Sequence, residues 1–374
     1  MHVVHVIDGL ASAAGGTSRA VCDLTTHLSQ ISSCECSIYT LPADRKELKC
    51  GPQVTIERSS NPSFFKQRNS VWDDLSRIHN RTPIDIIHTN GMWSPFVHFV
   101  ASFARKNGIK QIATPHGMLE PWSLSQKKWK KKIAWWLYQK YDLKTADAIQ
   151  VTAQSEAESM RKLGLDNFII VPNGVEVRPL PQRHQRQQTA LFLSRVHPKK
   201  GIPTLLRAWK RLNRNDWQLK IVGPGDKDYL QKIQRQIDKT FLDSSVQLLP
   251  AVEGHEKDRQ YESASIFVLP THSENFGIVI AEALERELPV ITTTGTPWTQ
   301  LDIIGCGWCI ELNEDNLLDA LVQATNATPE ILCQMGQAGR THIEQNFTWP
   351  AVAANLFRNY QEILGLCSEN NNDL

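Results

Sequence analysis

Two carboxylates, those of Glu274 and Glu282, stand eight residues apart in the segment HSENFGIVIAEALERELPVITTTG. The apolar run SIFVLPTH before them predicts a buried strand, and apolar residues then recur at helical spacing until Pro289 ends the helix. The carboxylates therefore flank a strand-to-helix junction. In parallel α/β sheets such loops border the ligand crevice, where a helix N-terminus favours phosphate. Two carboxylates there could accept hydrogen bonds from the hydroxyls of a sugar or a ribose.

The same two carboxylates also admit a purely structural interpretation. Arg286 lies four residues after Glu282, a spacing typical of an exposed helix pair that contributes about 0.3 to 0.5 kcal/mol. Glu274 could simply favour the positive end of the following helix. The pair alone therefore does not decide between a polyol site and surface charge.

Two cations occupy a second strand-to-helix loop, SRVHPKKG. Arg195 follows the strand TALFLS, and Lys200 precedes Gly201 at the start of a helix. Because cations that converge near a helix N-terminus suit phosphate oxygens, this loop predicts a diphosphate clamp. Solvated surface cations are the alternative.

Together these motifs resemble the signature of the retaining glycosyltransferases of family 4, in which a Glu is followed by seven residues and a second Glu, with Phe-Gly after the first. The matching residues are Glu274, Phe276, Gly277, Glu282 and Ala283. The resemblance extends over nearly the whole chain. It implies an α/β protein of the GT-B fold, in which two Rossmann-like doubly wound domains face a deep interdomain cleft.

The resemblance also implies roles for individual residues. In similar enzymes the residues that match Arg195 and Lys200 bind the donor diphosphate and stabilise the charge that grows on the leaving nucleotide. By the same resemblance Glu274 faces the transferred sugar, Glu282 holds the ribose hydroxyls, and His116 of TPHGMLEPW is directed at the donor sugar, although a lone histidine is more often structural. The catalytic residues implied are His116, Arg195, Lys200 and Glu274; the donor-binding residues are Gly15, Gly16, Gly223, Asn275, Phe276, Gly277, Ile278 and Glu282.

Two further motifs follow strands of the N-terminal half. The loop GLASAAGGTSRA carries Gly15 and Gly16 directly before a helix, where glycines let backbone N–H groups approach a ligand; a tight turn is the alternative. The spacing is not GxGxxG, which argues against a dinucleotide-dependent oxidoreductase. In IIHTNGMWS, Asn90 and Trp93 are candidate acceptor-binding residues, and a core role at the strand end is equally compatible.

Two details of the C-terminal half qualify the resemblance. The triplet Asp226-Lys227-Asp228 has the DxD spelling of a metal site, but it follows a glycine-rich turn and precedes a helix, so its acids are expected to cap that helix. We therefore expect no catalytic metal and no cofactor, with the nucleotide sugar as donor substrate. Trp298 stands where many family members have a Glu, and this substitution bears on the sugar contacts.

The elements that must position these motifs follow from the chain as a whole. Its 374 residues suit two domains, and strand-like runs alternate with helical stretches throughout. We assign residues 1–178 to an N-terminal acceptor-binding domain, 179–345 to a C-terminal nucleotide-sugar-binding domain, and 346–374 to a helix crossing back to the first domain plus a polar tail. A net charge of +2 gives no general attraction to nucleic acid. Scattered cysteines and the absence of a signal-peptide pattern favour a reducing cytoplasm.

A basic aromatic segment, residues 122–144, is the most individual feature of the chain. Seven lysines alternate with tryptophan and tyrosine, and helical spacing would place Trp129, Ile133, Trp136 and Lys140 on one face. Such a helix suits an anionic membrane surface. Core packing and simple solvation are the alternatives, and nucleic acid is not expected.

The sequence therefore predicts a cytoplasmic, retaining, metal-independent glycosyltransferase, with peripheral contact at the inner face of the cytoplasmic membrane. It would move a hexose from a nucleoside diphosphate sugar, of the UDP-glucose type, to a saccharide or lipid-linked acceptor in polysaccharide biosynthesis. A GT-B enzyme that makes a small soluble glycoside and a non-catalytic protein that binds nucleotide sugars are the alternatives.

Overall fold

The computed structural model describes residues 1–10, 16–42, 48–60, 67–180, 186–241 and 245–366. These residues form two compact units. The first unit contains Met1–Gly174 together with the helix that begins at Trp349, and the second contains Val175–Thr348. Each unit is built around one sheet in which every strand pair is parallel.

The sheet of the first unit has the strand order β3-β2-β1-β4-β5-β6-β7. Its strands are β1 (His2–Ile7), β2 (Glu35–Thr40), β3 (Thr55–Arg58), β4 (Ile86–Asn90), β5 (Lys110–Thr114), β6 (Ala148–Val151) and β7 (Phe168–Ile170). The helices between them are α1 (Gly16–Leu28), α2 (Gln67–Arg81), α3 (Pro95–Lys106), α4 (Pro121–Ser125), α5 (Lys128–Ala134), α6 (Lys140–Thr145) and α7 (Gln154–Arg161), with a π-helical turn at Trp135–Gln139.

The sheet of the second unit has the strand order β10-β9-β8-β11-β12-β13. Its strands are β8 (Thr189–Leu193), β9 (Gln218–Val222), β10 (Val246–Leu249), β11 (Ile266–Leu269), β12 (Val290–Thr293) and β13 (Gly307–Ile310). Its helices are α8 (Ile202–Leu212), α9 (Lys227–Thr240), α10 (His255–Ser263), α11 (Ile278–Glu285), α12 (Leu301–Ile304), α13 (Glu314–Asn326) and α14 (Pro329–Asn346).

Both sheets reverse their strand order at one point. In the first unit the reversal lies between β1 and β4, and in the second it lies between β8 and β11. In open α/β sheets, ligands bind outside the carboxyl ends of the strands at such a switch point. The topology therefore marks the loops after these four strands as the places to look for a site.

The last helix, α15 (Trp349–Ile363), packs within the first unit against α1. Its buried face carries Trp349, Leu356 and Tyr360, which join the apolar cluster beneath β1 and β4. The chain thus returns to its first unit after completing the second.

Several features of the fold were not predicted from the sequence. Strands β3 and β13 and helix α2 were missed. Strand β3 gives a weak signal because it is short, partly exposed and polar at both ends. From the sequence we expected reduced cysteines and therefore no disulfide. In the structure, Cys22 of α1 and Cys50 form a disulfide. No spacing motif marks this pair, because 28 residues separate its members.

Candidate functional site

Lys200 and Glu274 form an ion pair at the switch point of the second unit. Lys200 ends a short 3₁₀ turn after β8, and Glu274 lies in the loop between β11 and α11. Both side chains are nearly buried, at 12% and 14% exposure, and the Thr271 hydroxyl lies 3.0 Å from the same Glu274 oxygen, Oε1. Burial lowers the pKa of Lys200, and the Glu274 carboxylate opposes that shift. Two residues singled out on separate motifs are therefore in direct contact.

Two glycines allow the loops at this switch point to approach closely. Gly201 has φ +68°, and a Cβ there would lie 1.9 Å from the Pro270 carbonyl oxygen. Gly223 has φ +150°, and its Cβ would lie 1.9 Å from the Ser194 carbonyl oxygen. Only glycine fits such backbone contacts. Gly223 therefore shapes the site through its backbone.

Positive charge concentrates after β8. Arg195 is exposed in this loop, and burial together with Arg195, Lys200 and Lys199 lowers the pKa of His197. His197 Nδ1 accepts from the Lys199 N–H at 3.2 Å, which fixes the turn. A cluster of cations beside a helix N-terminus favours an anion.

The loop before α11 presents backbone rather than side chain at Phe276. The Phe276 ring is buried against Trp298, with ring centroids 5.3 Å apart, and against Phe347 at 5.8 Å. Trp298 Nε1 donates to the Phe276 carbonyl oxygen at 2.6 Å. In the described residues no backbone carbonyl accepts from the N–H groups of Phe276 or Gly277. The buried ring thus holds a loop whose amides can serve a ligand; the neighbouring Asn275 and Ile278 are half-buried.

Trp298, at which the sequence departs from the pattern of the family it resembles, is therefore a packing residue. It is 5% exposed and belongs to the core of the second unit. The nearby Thr296 N–H donates to the Thr293 carbonyl oxygen at 3.0 Å, so it is engaged in the turn after β12.

Glu282 contacts α10 instead of Arg286. Lys257 Nζ lies 2.6 Å from Glu282 Oε1, and the Tyr261 hydroxyl donates to Oε2 at 2.9 Å. Arg286 pairs with Asp258 at 3.3 Å. The exposed helix pair considered from the sequence is therefore wrong. Sequence reasoning missed Lys257 and Tyr261, since only tertiary packing brings them to Glu282.

In the first unit His116 contacts Asn90. His116 follows β5 with φ +50°, an uncommon backbone conformation for a residue other than glycine. Its Nε2 lies 3.1 Å from Asn90 Oδ1, and burial lowers the pKa of His116 to about 4. The Asn90 side chain is buried and its Nδ2 donates to the His88 carbonyl oxygen at 3.2 Å. Asn90 is thus engaged with protein partners, and its role as an acceptor contact stays a prediction.

A buried carboxylate fixes the turn after His116. Glu156 Oε1 accepts from the Gly117 N–H at 2.9 Å, and its Oε2 accepts from the Thr152 N–H at 2.8 Å. Burial raises the pKa of Glu156 to about 7. Sequence reasoning missed Glu156, because the surrounding segment TAQSEAESM contains no motif that marks a buried carboxylate.

Trp93, the second acceptor candidate, is held by the basic aromatic segment. Its N–H donates to Gln139 Oε1 at 2.8 Å, and its carbonyl oxygen accepts from the Tyr138 hydroxyl at 2.8 Å. Lys131 Nζ lies 5.6 Å from the centre of the Trp93 ring. The φ of Trp93 is +73°, again in the left-handed region. The basic aromatic segment and Trp93 are therefore parts of one local structure.

The segment itself exposes large apolar side chains. Trp129 is 65% exposed, Trp136 71% and Leu137 74%. The π-helical turn adds a residue to the helical repeat and changes which side chains share a face. Among the described residues, no helix has the length and apolar composition needed to cross a bilayer.

The remaining candidates are placed as follows. Gly15 lies outside the described residues, and Gly16 is the first residue of α1. Asp226 caps α9, accepting from the N–H groups of Asp228 at 3.0 Å and Tyr229 at 3.3 Å. The capping role expected for the DxD triplet is confirmed.

Known proteins share the sequence and the fold. A family model described as Glycosyltransferase Family 4 matches residues 14–178, and one described as Glycosyl transferases group 1 matches residues 177–341. The D-inositol 3-phosphate glycosyltransferase of Segniliparus rotundus is 28% identical over 212 residues, 52% of this chain and 47% of the relative. The phosphatidylinositol N-acetylglucosaminyltransferase GPI3 subunit of Saccharomyces cerevisiae is 23% identical over 339 residues, 86% of this chain and 72% of the relative. The chain thus spans about half the length of the first of these relatives.

The fold is shared over the full length of a solved structure. Alr3699/HepE of Anabaena, in complex with UDP and glucose, superposes with a TM-score of 0.76 at 15% identity, covering 97% of this chain and 100% of that chain. Because the two family models lie side by side along the sequence and the likeness in fold extends through both units, the chain belongs to the family 4, group 1 glycosyltransferases with the GT-B fold.

Proposed function

We propose that the chain transfers a hexose from a nucleoside diphosphate sugar, of the UDP-glucose type, to a saccharide or lipid-linked acceptor, with retention and without a metal. The observation that carries the proposal is the Lys200–Glu274 contact at the switch point of the second unit. It joins a phosphate-binding cation to a polyol-binding carboxylate. The Anabaena structure with UDP and glucose supports this class of donor.

The proposed reaction breaks the bond between the anomeric carbon of the donor sugar and its diphosphate oxygen. The acceptor hydroxyl oxygen bonds to the same carbon on the same face, and its proton passes to the departing phosphate oxygen. Arg195 and Lys200 stabilise the negative charge that develops on the diphosphate, and fixed charge of this kind contributes several kcal/mol. No protein base is required on the reacting face.

The proposal gives Glu274 and Glu282 different partners in the donor. Glu274 holds Lys200 in place and accepts from hydroxyls of the transferred sugar. Glu282, with Lys257 and Tyr261 bound to it, accepts from the ribose. His116 contacts the donor sugar.

For the acceptor we favour a lipid-linked saccharide at the inner face of the cytoplasmic membrane. The exposed side chains of Trp129, Trp136 and Leu137 lie among lysines, a combination that suits anionic lipid headgroups over an apolar layer. The same segment holds Trp93. A lipid-bound acceptor would thus be presented beside its candidate site.

The test is incubation of the protein with a panel of nucleotide sugars and candidate acceptors, while release of nucleoside diphosphate is followed. We expect turnover with a UDP-hexose that is unchanged by a chelator. Loss of turnover in the presence of the chelator would overturn the proposal that the reaction needs no metal. Binding without turnover for every acceptor would favour the non-catalytic alternative, and turnover restricted to water-soluble acceptors, without vesicles, would favour the soluble glycoside.

A further inference from the structure

A buried polar network runs through the first unit from β6 to the loop after β5. Its members come from five strands and helices and from one loop, and all but His116 are almost completely buried. Buried polar groups are costly unless they are paired. We call the network the polar relay; in order, its members are Gln150, Thr114, His88, Tyr360, His5, Asn90 and His116.

The Asn90 amide fixes one end of the polar relay. Its Nδ2 lies 3.2 Å from the backbone carbonyl oxygen of His88, which can only accept, so Nδ2 is the donor. The opposite atom, Oδ1, faces His116 Nε2 at 3.1 Å. Since Oδ1 can only accept, His116 must carry its proton on Nε2.

The Gln150 amide fixes the other end independently. Its Nε2 donates to the backbone carbonyl oxygen of Val171 at 3.1 Å, so its Oε1 accepts from the Thr114 hydroxyl at 3.4 Å. With its proton used there, Thr114 Oγ1 accepts from His88 Nε2 at 2.6 Å. A neutral imidazole has one N–H, so His88 Nδ1 is an acceptor.

Tyr360 joins the two ends. Its hydroxyl donates to His88 Nδ1 at 2.6 Å and therefore accepts from His5 Nε2 at 3.3 Å. His5 Nδ1 is then an acceptor, and Asn90 Nδ2 lies 3.4 Å from it. The donors and acceptors assigned stepwise from Gln150 therefore require Asn90 Nδ2 to be a donor. The contact with the His88 carbonyl oxygen requires the same orientation of the Asn90 amide. Burial lowers the pKa values of all three histidines, which keeps each ring neutral.

We infer that Tyr360 and His5 act through Asn90 as positioning residues that hold His116 in its Nε2–H tautomer. His116 then presents Nδ1 as a hydrogen-bond acceptor. The identity of the ligand rests on the proposed function. On that function, His116 Nδ1 accepts a hydrogen bond from a hydroxyl of the donor sugar, and His116 donates none to it. The site would therefore discriminate against a donor whose hydroxyl at that position is replaced by hydrogen or fluorine. Tyr360 belongs to α15, so the last helix has a part in donor recognition.

The tautomer can be read without any enzymatic turnover. The full chain is labelled with ¹⁵N-histidine, and two-bond proton–nitrogen correlations are recorded near pH 7.5, with the His116 ring assigned from the His116→Gln variant. We expect Nε2 protonated and Nδ1 bare. A protonated Nδ1 in the wild type would overturn the inference, whatever the outcome of the donor screen.

Removing one hydroxyl tests the link to α15. Tyr360→Phe leaves His5 Nε2–H without its acceptor, so His5 can carry its proton on Nδ1 instead. That proton would oppose the Asn90 Nδ2–H and weaken the hold that the His88 carbonyl oxygen has on the amide. We expect a second His116 tautomer to appear and kcat/KM for the donor to fall roughly tenfold, the size of one neutral hydrogen bond. Tyr229→Phe is the matched control, since its buried hydroxyl has no hydrogen-bond partner among the described residues.

An unchanged His116 spectrum in folded Tyr360→Phe would overturn the role of the last helix. Should that variant fail to fold, Asn90→Asp keeps the test: its carboxylate accepts from Nε2–H, so the tautomer should persist while the His116 pKa rises. If Asn90→Asp instead shows a bare Nε2, the inference fails.

Discussion

The Lys200 ammonium and the Glu274 carboxylate are in contact at the carboxyl ends of β8 and β11, where the second sheet reverses its strand order. An ammonium has three N–H donors, so its bond to Glu274 still allows bonds to phosphate oxygens. Both side chains are nearly buried, which strengthens their interaction relative to a surface pair. On the proposed function, the contact would link recognition of the diphosphate to recognition of the sugar.

Separating this pair should abolish most activity. Lys200→Met and Glu274→Gln are each expected to lower kcat/KM by roughly 100-fold to 1,000-fold, as for the loss of one charge-stabilising group. Lys210→Met removes an exposed cation of α8 and serves as the control. Steady-state kinetics measure the effect.

A double variant separates catalysis from stability. Removing one partner of a nearly buried pair leaves an unpaired charge and lowers stability. Lys200→Met with Glu274→Gln should therefore regain part of the melting temperature lost by either single variant, yet stay inactive. Recovery of activity along with stability would show that the pair is only structural.

Trp298 should support donor binding from behind the loop. Trp298→Phe keeps an aromatic ring but loses the 2.6 Å hydrogen bond from Nε1 to the Phe276 carbonyl oxygen, at a cost of about 1 kcal/mol of stability. We expect the Kd for nucleoside diphosphate, measured by calorimetry, to rise several-fold because the loop amides lose their support. Trp308→Phe is the control, since its indole N–H bonds the Gln323 side chain at 3.0 Å. Equal effects in the two variants would contradict this role.

The buried histidines should make the protein lose stability in acid. Burial lowers the pKa of His5 to about 3 and that of His116 to about 4, whereas in the unfolded chain both titrate near 6.5. Their contribution to the free energy of unfolding is complete above pH 6.5 and is lost as the pH falls towards 4 and then 3. The loss is about 1.4 kcal/mol for each unit by which the pKa values of the folded and unfolded states differ.

Denaturant unfolding at several pH values between 8 and 5 measures this loss. His5→Gln should flatten the dependence of the unfolding free energy on pH, because one group that the unfolded state protonates is gone. His255→Gln, at an exposed position of α10, should leave the slope unchanged. The same slope in His5→Gln as in the wild type would contradict the assignment.

The basic aromatic segment should bind anionic vesicles. Trp136→Ser with Leu137→Ser should weaken partitioning at least tenfold, since burial of each large side chain contributes about 1.5 to 3 kcal/mol. Changing the lysines between 127 and 132 to Gln should weaken binding only when anionic lipid is present, at about 1 kcal/mol per charge.

The control for vesicle binding is Ile303→Ser, which removes an apolar side chain that is 89% exposed in the second unit. Vesicle sedimentation gives the partition coefficients. If the double variant and the control bind vesicles equally well, the segment is not the contact surface. Turnover with a soluble acceptor should be unchanged in Trp136→Ser with Leu137→Ser and in Ile303→Ser.

Sequence patterns predicted those parts of the site that are formed by residues close together in the sequence. The apolar run before Glu274, the helix after Gly277 and the capping Asp226 are set by spacing within one turn or strand, and the structure has them as expected. Strand β3 escaped prediction because its exposed, polar ends lack an alternating pattern.

Long-range partners could not be predicted in this way. Tyr261 reaches Glu282 across 21 residues and Tyr360 reaches His88 across 272, and no local periodicity reports such pairs. The substitution at Trp298 was visible in the sequence, but its packing against Phe276 and Phe347 required the fold.

The central claim is that this chain transfers a sugar from a nucleoside diphosphate with retention. Proton NMR of the reaction with the preferred donor tests it most directly, because the anomeric proton reports both consumption of the donor and the configuration of the first product. We predict that the donor signal disappears only with active protein, is unaffected by Lys200→Met protein, and gives a product with the donor's anomeric configuration. An inverted product, or equal consumption by the wild type and Lys200→Met, would contradict the account.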